Sequence, residues 1–305
     1  MKAPATRLDE TFTRLRARGE RALVAYLMAG DPSLAETGRL VIEAERRGAD
    51  VIELGVAFSD PIADGPVIQR AGSRALAGGT TLPRVLEMVS TLRGQVSVPL
   101  VLMTYYNPVL AFGLKSFART AADAGADGVI VPDLPYEECE PLRAETEPAG
   151  LDIIQLVAPT STPARVKTLA RLSRGFVYLV SLTGITGERR ELPKDLDVQI
   201  RTLRLVTTKP VCVGFGVSTP EQVAAVGKLA DGVVVGSAIV RTIEAHANTA
   251  ALVEKVGEFI AMLKHPLRAS SSAGFARAIE AGGTEERAVR RATTVGRGAK
   301  PPSET

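Results

Sequence analysis

VIELGVAFSDPIADGP, residues 51–66, starts as an apolar, β-prone run, meets a carboxylate at Glu53 and is broken by Gly55. Asp60 and Asp64 follow, each beside a proline or a glycine. A buried strand does not end on an acid unless the acid has a partner or chemical work there. Alternation along the strand sets Val51 and Glu53 on one face, Ile52 and Leu54 on the other.

The lead-in to this run is repeated. Ala49-Asp50 precedes VIELG, Ala126-Asp127-Gly128 precedes VIVPD, and Ala230-Asp231-Gly232 precedes VVVGS. The intervals are unequal, which excludes a solenoid and fits one βα unit used many times. Further short Val/Ile/Leu runs lie at 22–30, 98–105, 151–159, 175–182 and 209–216. Their unbroken apolar character fits strands buried on both faces, hence a parallel sheet. Helical spacing follows each run, as at 162–172 and 219–229, and Ser33 or Asp31 is placed to cap a helix ending near Arg47. Eight strands with eight helical regions predict an α/β chain folded as a (β/α)8 TIM barrel. The competing open Rossmann-like sheet lacks a GxGxxG after its first strand. An extra N-terminal helix is predicted over 6–18, with Leu8, Phe12 and Leu15 on one face, and a single last barrel helix over 238–263. The catalytic domain is thus expected over 1–266, and a disordered basic tail over 267–305.

Composition narrows the classes. The 305-residue chain is 45% hydrophobic, enough for a large core, with 4% aromatics and no Trp. Its net charge of +3 is a property of the end: residues 265–305 hold seven basic and four acidic side chains. Taking seven from 37 and four from 34 leaves 30 of each elsewhere, so the body offers no basic nucleic-acid surface. Cys139 and Cys212 form no metal or disulfide pattern. The N-terminus lacks a signal-peptide segment and no run is long enough for a membrane helix, so a cytoplasmic location is expected.

The chemistry-bearing residues cluster at strand ends. At the mouth of a barrel, a partly desolvated Glu53 would have a raised pKa and act as a proton donor or shuttle. The alternative is a carboxylate paired with a nearby cation. Asp64, in an ADGP turn, would accept a proton from a substrate N–H or merely close an Asx turn. Three Gly-rich turns, Thr183–Gly187, Gly214–Gly216 and Gly236–Ser237, follow the last three strands, and Ser237 opens a helix. Backbone N–H groups there can cradle a phosphate. Tyr105, Tyr106, Asn107 and Tyr178 are candidates for an aromatic pocket, although core filling suits Tyr106. Asp133 and Cys212 read as structural.

At these residues the chain resembles the tryptophan synthase α subunit family over roughly 8–264. ELGVAFSDPIADGP, LMTYYNP, VPDLP, SLTGITG, GFG and GSAIV match that family in order and spacing. The resemblance implies retro-aldol cleavage of indole-3-glycerol phosphate to indole and glyceraldehyde 3-phosphate. It implies Glu53 as acid/base at indole C3 and Asp64 as the carboxylate facing the indole N–H. It places Tyr26, Tyr105, Tyr178, Thr186, Gly187, Gly216, Gly236 and Ser237 against the substrate, with Thr186 holding Asp64 on closure. Asp60, Pro61 and Asn107 would face a β subunit in an α2β2 assembly. No cofactor or metal is expected on this chain; pyridoxal phosphate belongs to the β partner. Ala57 replaces the family's usual proline, which implies a slightly more mobile loop, and the tail matches no motif. A different barrel enzyme acting on a phosphorylated substrate would call for another acid/base set, and no strand ends on lysine. A purely activating subunit would call for a degraded site.

Overall fold

The computed structural model describes residues 5–180, 195–214 and 216–268. Among these, nine strand segments form one all-parallel sheet: β1 (Ala22–Met28), β2 (Val51–Gly55), β3 (Leu100–Met103), β4 (Gly128–Ile130), β5 (Asp152–Ile153), β6 (Gln155–Val157), β7 (Val177–Val180), β8 (Val211–Gly214) and β9 (Gly232–Val235). Their order is β5-β4-β3-β2-β1-β9-β8-β7-β6. The two ends of that order, β5 and β6, are halves of one strand separated only by Ile154. The ring therefore closes through the chain itself, and the eight predicted strands stand as a TIM barrel.

Among the described residues, twelve α-helices pack around the sheet or against its end: α1 (Arg7–Ala17), α2 (Leu34–Arg47), α3 (Pro66–Ala77), α4 (Leu82–Arg93), α5 (Tyr106–Phe112), α6 (Leu114–Ala124), α7 (Glu140–Ala149), α8 (Pro163–Leu172), α9 (Leu196–Arg204), α10 (Pro220–Gly227), α11 (Ser237–His246) and α12 (Leu252–Lys264). Ser33, not Asp31, caps α2, its hydroxyl accepting from the Glu36 N–H at 3.1 Å. The single helix expected over 238–263 is two helices. The break falls at residues 247–251, where the Thr249 N–H and hydroxyl both turn back to the His246 carbonyl. Such a local bond competes with the helical ladder. The expected tail lies outside the described residues from 269 onward. Leu267 is buried, and its carbonyl accepts from the Arg21 N–H.

Two cores follow from strand alternation. Outward residues such as Leu23, Ala25, Ile52, Leu54, Leu100 and Leu102 pack under the helices. Inward residues, among them Val24, Val51, Val101, Ile130, Ile154, Tyr178, Cys212 and Val234, fill the barrel. Leu8, Phe12 and Leu15 of α1 join this inner cluster and plug the N-terminal end. The helix starts on a capping box, Thr6 with Asp9, and the Thr6 hydroxyl also donates to Asp152 at 2.9 Å.

The repeated Ala-Asp lead-in has a physical cause. Asp50, Asp127 and Asp231 each accept, at 2.8 Å, the first ladder N–H of the neighbouring strand, from Leu23, Leu100 and Val211. Each aspartate N–H returns a bond to the same residue's carbonyl. One carboxylate thus ties two strands at the N-terminal rim. Each also holds a cation: Lys264 on Asp50, Arg7 and Arg93 on Asp127, Arg204 on Asp231. Lys264 is itself buried, 2.8 Å from Asp50, with Glu20 at 3.7 Å. Stranding a buried charge costs ~3–5 kcal/mol. Asp50→Ala is expected near the lower end, about 3 kcal/mol, because Glu20 stays; urea unfolding measures it.

Candidate active site

The C-terminal mouth of the barrel is built on β1, β2 and β3. Register sets Tyr26 beside Glu53, and Glu53 beside Val101. Glu53 is 1% exposed, and its Oε2 has no hydrogen-bond partner. No cation pairs with it among the described residues, which removes the salt-bridge alternative there. Burial, and then the nearby Asp64 carboxylate, push its pKa up to about 8.

Two glycines make room for tyrosines at this level. A Cβ on Gly55 would meet the Tyr26 hydroxyl at 2.1 Å, and one on Gly214 would meet the Tyr178 hydroxyl at 2.3 Å. Each ring therefore leans over the end of the next strand and closes the inner core beneath the mouth. Tyr26 and Tyr178 are both buried, and burial raises both phenol pKa values, with Glu53 adding to each.

The loop after β2 brings the second acid. It leaves the sheet with the Val56 N–H on the Met103 carbonyl, 2.8 Å, then tightens through Ile62 N–H to Asp60 carbonyl, 2.9 Å, and Asp64 N–H to Pro61 carbonyl, 3.1 Å. Gly65 and Pro66 start α3 directly behind it. The Tyr105 hydroxyl accepts from the Ala63 N–H at 3.0 Å, which holds it close to the Asp64 carboxylate. The Phe58 ring packs 5.3 Å from that of Tyr105. Burial raises the Asp64 pKa to about 6, with the nearby Tyr105 hydroxyl acting against it. Tyr105→Phe removes a hydroxyl that favours the ionised form. The Asp64 pKa is therefore expected to rise, moving the acid limb of the kcat/KM profile upward by about one pH unit, as read from rate against pH.

On the other flank of β1, where β9 and then β8 follow in the sheet, Gly216 sits after β8 with a left-handed φ of 85°. Gly236 precedes α11 and supplies no side-chain cap, leaving the first-turn N–H groups at Ser237 and beyond without one. Thr186 and Gly187 lie outside the described residues. Among those described, no group of three or more His, Cys, Asp or Glu is placed to hold a metal ion.

The sequence profile of the family described as Tryptophan synthase alpha chain matches residues 12–267. The chain belongs to the tryptophan synthase alpha chain family. It is 51% identical over 259 residues to the tryptophan synthase alpha chain of Citrifermentans bemidjiense, covering 85% of this chain and 97% of that one. It is 46% identical over 266 residues to that of Carboxydothermus hydrogenoformans, covering 87% and 100%. Among solved structures, the tryptophan synthase subunit alpha of Legionella pneumophila superposes with a TM-score of 0.80 at 35% identity, over 87% of this chain and 99% of that one. A chain of Mycobacterium tuberculosis tryptophan synthase does so with 0.81 at 37%, over 87% and 99%.

Within this alpha-chain fold, Glu53, Tyr26 and Tyr178 lie close together in the barrel interior, and Tyr105 clasps the Asp64 loop through the Ala63 N–H. Gly216, Gly236 and Ser237 stand at the exits of β8 and β9. Asp60 and Asn107 are exposed, Pro61 is half-buried, and Ile62 between them is 77% exposed. Ala57 is buried against the cluster that holds Tyr26 and Ile68. Asp133 accepts the Tyr106 N–H at 2.9 Å at the start of α5, a structural duty. The clasp of Tyr105 on the Asp64 loop escapes sequence reasoning. Its partners are 42 residues apart, and no local pattern links them. The ion pair between Asp31 and Arg74 escapes it for the same reason.

Proposed function

We propose that Glu53 and Asp64 carry the alpha reaction in this chain: retro-aldol cleavage of indole-3-glycerol phosphate to indole and glyceraldehyde 3-phosphate, a lyase step of tryptophan biosynthesis. The supporting observation is the buried Glu53 carboxyl, unpartnered at Oε2 and protonated up to about pH 8, with a second acid near it. Protonated Glu53 gives its proton to indole C3. The positive charge that develops at the ring N–H is stabilised by ionised Asp64. The Glu53 carboxylate then takes the proton of the side-chain hydroxyl adjoining C3. The bond between C3 and that carbon breaks, its electrons return to the ring, and the carbonyl of the aldehyde forms. Glu53 ends as it began. Two carboxyls with different surroundings divide the acid and charge-stabilising roles at one pH.

Gly216, Gly236 and Ser237, with Thr186 and Gly187, are assigned to the phosphate end and to loop closure, and Tyr26, Tyr105 and Tyr178 to the indole pocket. Asp60, Pro61 and Asn107 are assigned to the β-subunit face of an α2β2 assembly. Alpha chains of this family need no cofactor of their own; pyridoxal phosphate belongs to the β subunit, with which the alpha chain works. Residues 1–266 are assigned as the catalytic domain and 267–305 as an appended tail. No helix among the described residues is long and apolar enough to cross a membrane. As a biosynthetic enzyme, the protein is assigned to the cytoplasm. Incubation with indole-3-glycerol phosphate, with and without a β subunit, tests the reading. Release of indole and glyceraldehyde 3-phosphate in equal amounts supports it; no indole in either case contradicts it.

A further inference from the structure

Four charged side chains join three consecutive strand exits beside the site. Arg74 on α3 donates both Nε and Nη2 to Asp31, at 2.7 and 2.8 Å, in the turn after β1. Its Nη1 reaches Glu244 on α11 at 2.8 Å. Arg70, one turn earlier on α3, forks onto the same Glu244 with two bonds of 2.9 Å. Asp31 is 1% exposed. The result is a ladder, Asp31–Arg74–Glu244–Arg70, built mainly from paired forks that fix direction as well as distance.

The ladder joins the two ends of the proposed site. α3 begins two residues after Asp64, and the Gln69 side chain on it donates to the Asp64 carbonyl at 2.9 Å. α11 begins at Ser237, at the proposed phosphate end. Beneath the ladder the two helices meet through Ile68, Ala71, Ala75 and Val240, against Tyr26 and Met28. Two of the three α3 residues in that contact are alanines. Small side chains interlock weakly, so apolar packing alone sets their register loosely, and polar groups are suited to fixing it.

We propose that this ladder sets the separation between the Asp64 loop and the phosphate end of α11, which makes Glu244 a positioning residue for the cleavage reaction. The inference rests on the functional reading above. A substrate that must span both ends feels that separation. A fragment held at the phosphate end alone does not.

The experiment compares the two in Glu244→Ala and in the milder Glu244→Gln, which keeps the shape and one acceptor. For indole-3-glycerol phosphate, kcat/KM is expected to fall about tenfold in the alanine variant, since small misplacements at a reacting centre are costly. A loss of about threefold is expected in the glutamine variant. The Kd for glyceraldehyde 3-phosphate alone is expected to stay within about twofold of wild type in both. Unchanged kcat/KM overturns the inference. So does an equal loss for substrate and fragment, which marks a merely structural role. Should the alanine variant fail to fold, the glutamine variant decides by the same split. Absence of indole release from the wild-type chain is a different result: it overturns the functional reading, and the inference with it.

Discussion

Glu53→Gln is expected to lower kcat for indole release by about 10⁴-fold, at the top of the range for acid–base groups, because one side chain both gives and takes a proton. The amide matches the carboxyl in shape but can do neither. Binding of glyceraldehyde 3-phosphate should survive, since the proposed phosphate end is at the exits of β8 and β9, away from Glu53 on β2. The same substitution has a stability signature of opposite sign. The folded pKa of about 8 lies above the value of 4.5 for a free glutamate. Protonation is therefore favoured by folding, and the wild-type chain loses stability as pH rises from about 4.5 to about 8. Glutamine carries no charge to desolvate. The inactive variant should be more stable than wild type by up to roughly 4–5 kcal/mol at pH 8 and above, and show no such gain at pH 4. Urea unfolding at the two pH values measures the difference.

Asp64→Asn is expected to cost about 10²–10³-fold in kcat/KM, the size of effect seen when one charge-stabilising group is removed from a water-poor site. The Tyr105 hydroxyl still accepts from the Ala63 N–H, so the loop should keep its course. What is lost is the negative charge near the indole N–H. The variant also relieves Glu53, whose pKa is raised in part by Asp64. The basic limb of the rate profile should then move to lower pH than the wild-type limb near 8, while the acid limb assigned to Asp64, near 6, should disappear. Steady-state rates between pH 5 and 9 resolve both changes. A variant with wild-type kcat/KM would take Asp64 out of the mechanism.

The legibility of this fold follows from the range of the interactions. The strands are readable because burial on both faces leaves continuous Val/Ile/Leu runs, and Glu53 is readable because it violates such a run. The split of one strand at Ile154 is invisible in LDIIQLVAP, which carries no breaker there. The Ala-Asp lead-ins announce a repeated unit. That each aspartate ties two strands at the N-terminal rim depends on partners 20 to 27 residues away. Asp31 fits the local pattern of a helix cap, yet its carboxylate is taken by Arg74, 43 residues on. The single helix expected over 238–263 fails at a turn where Thr249 bonds back on His246, a local competition that apolar spacing does not record.

The central claim is that Glu53 is protonated near neutral pH because it is buried beside a second acid. The ¹³C NMR titration of glutamate side-chain carboxyls, with Glu53→Gln to assign the resonance, tests this most directly. The account predicts one resonance, absent from the variant, that titrates near pH 8 and moves to lower pH in Asp64→Asn. A Glu53 resonance that titrates at or below 4.5 and ignores Asp64 would contradict it.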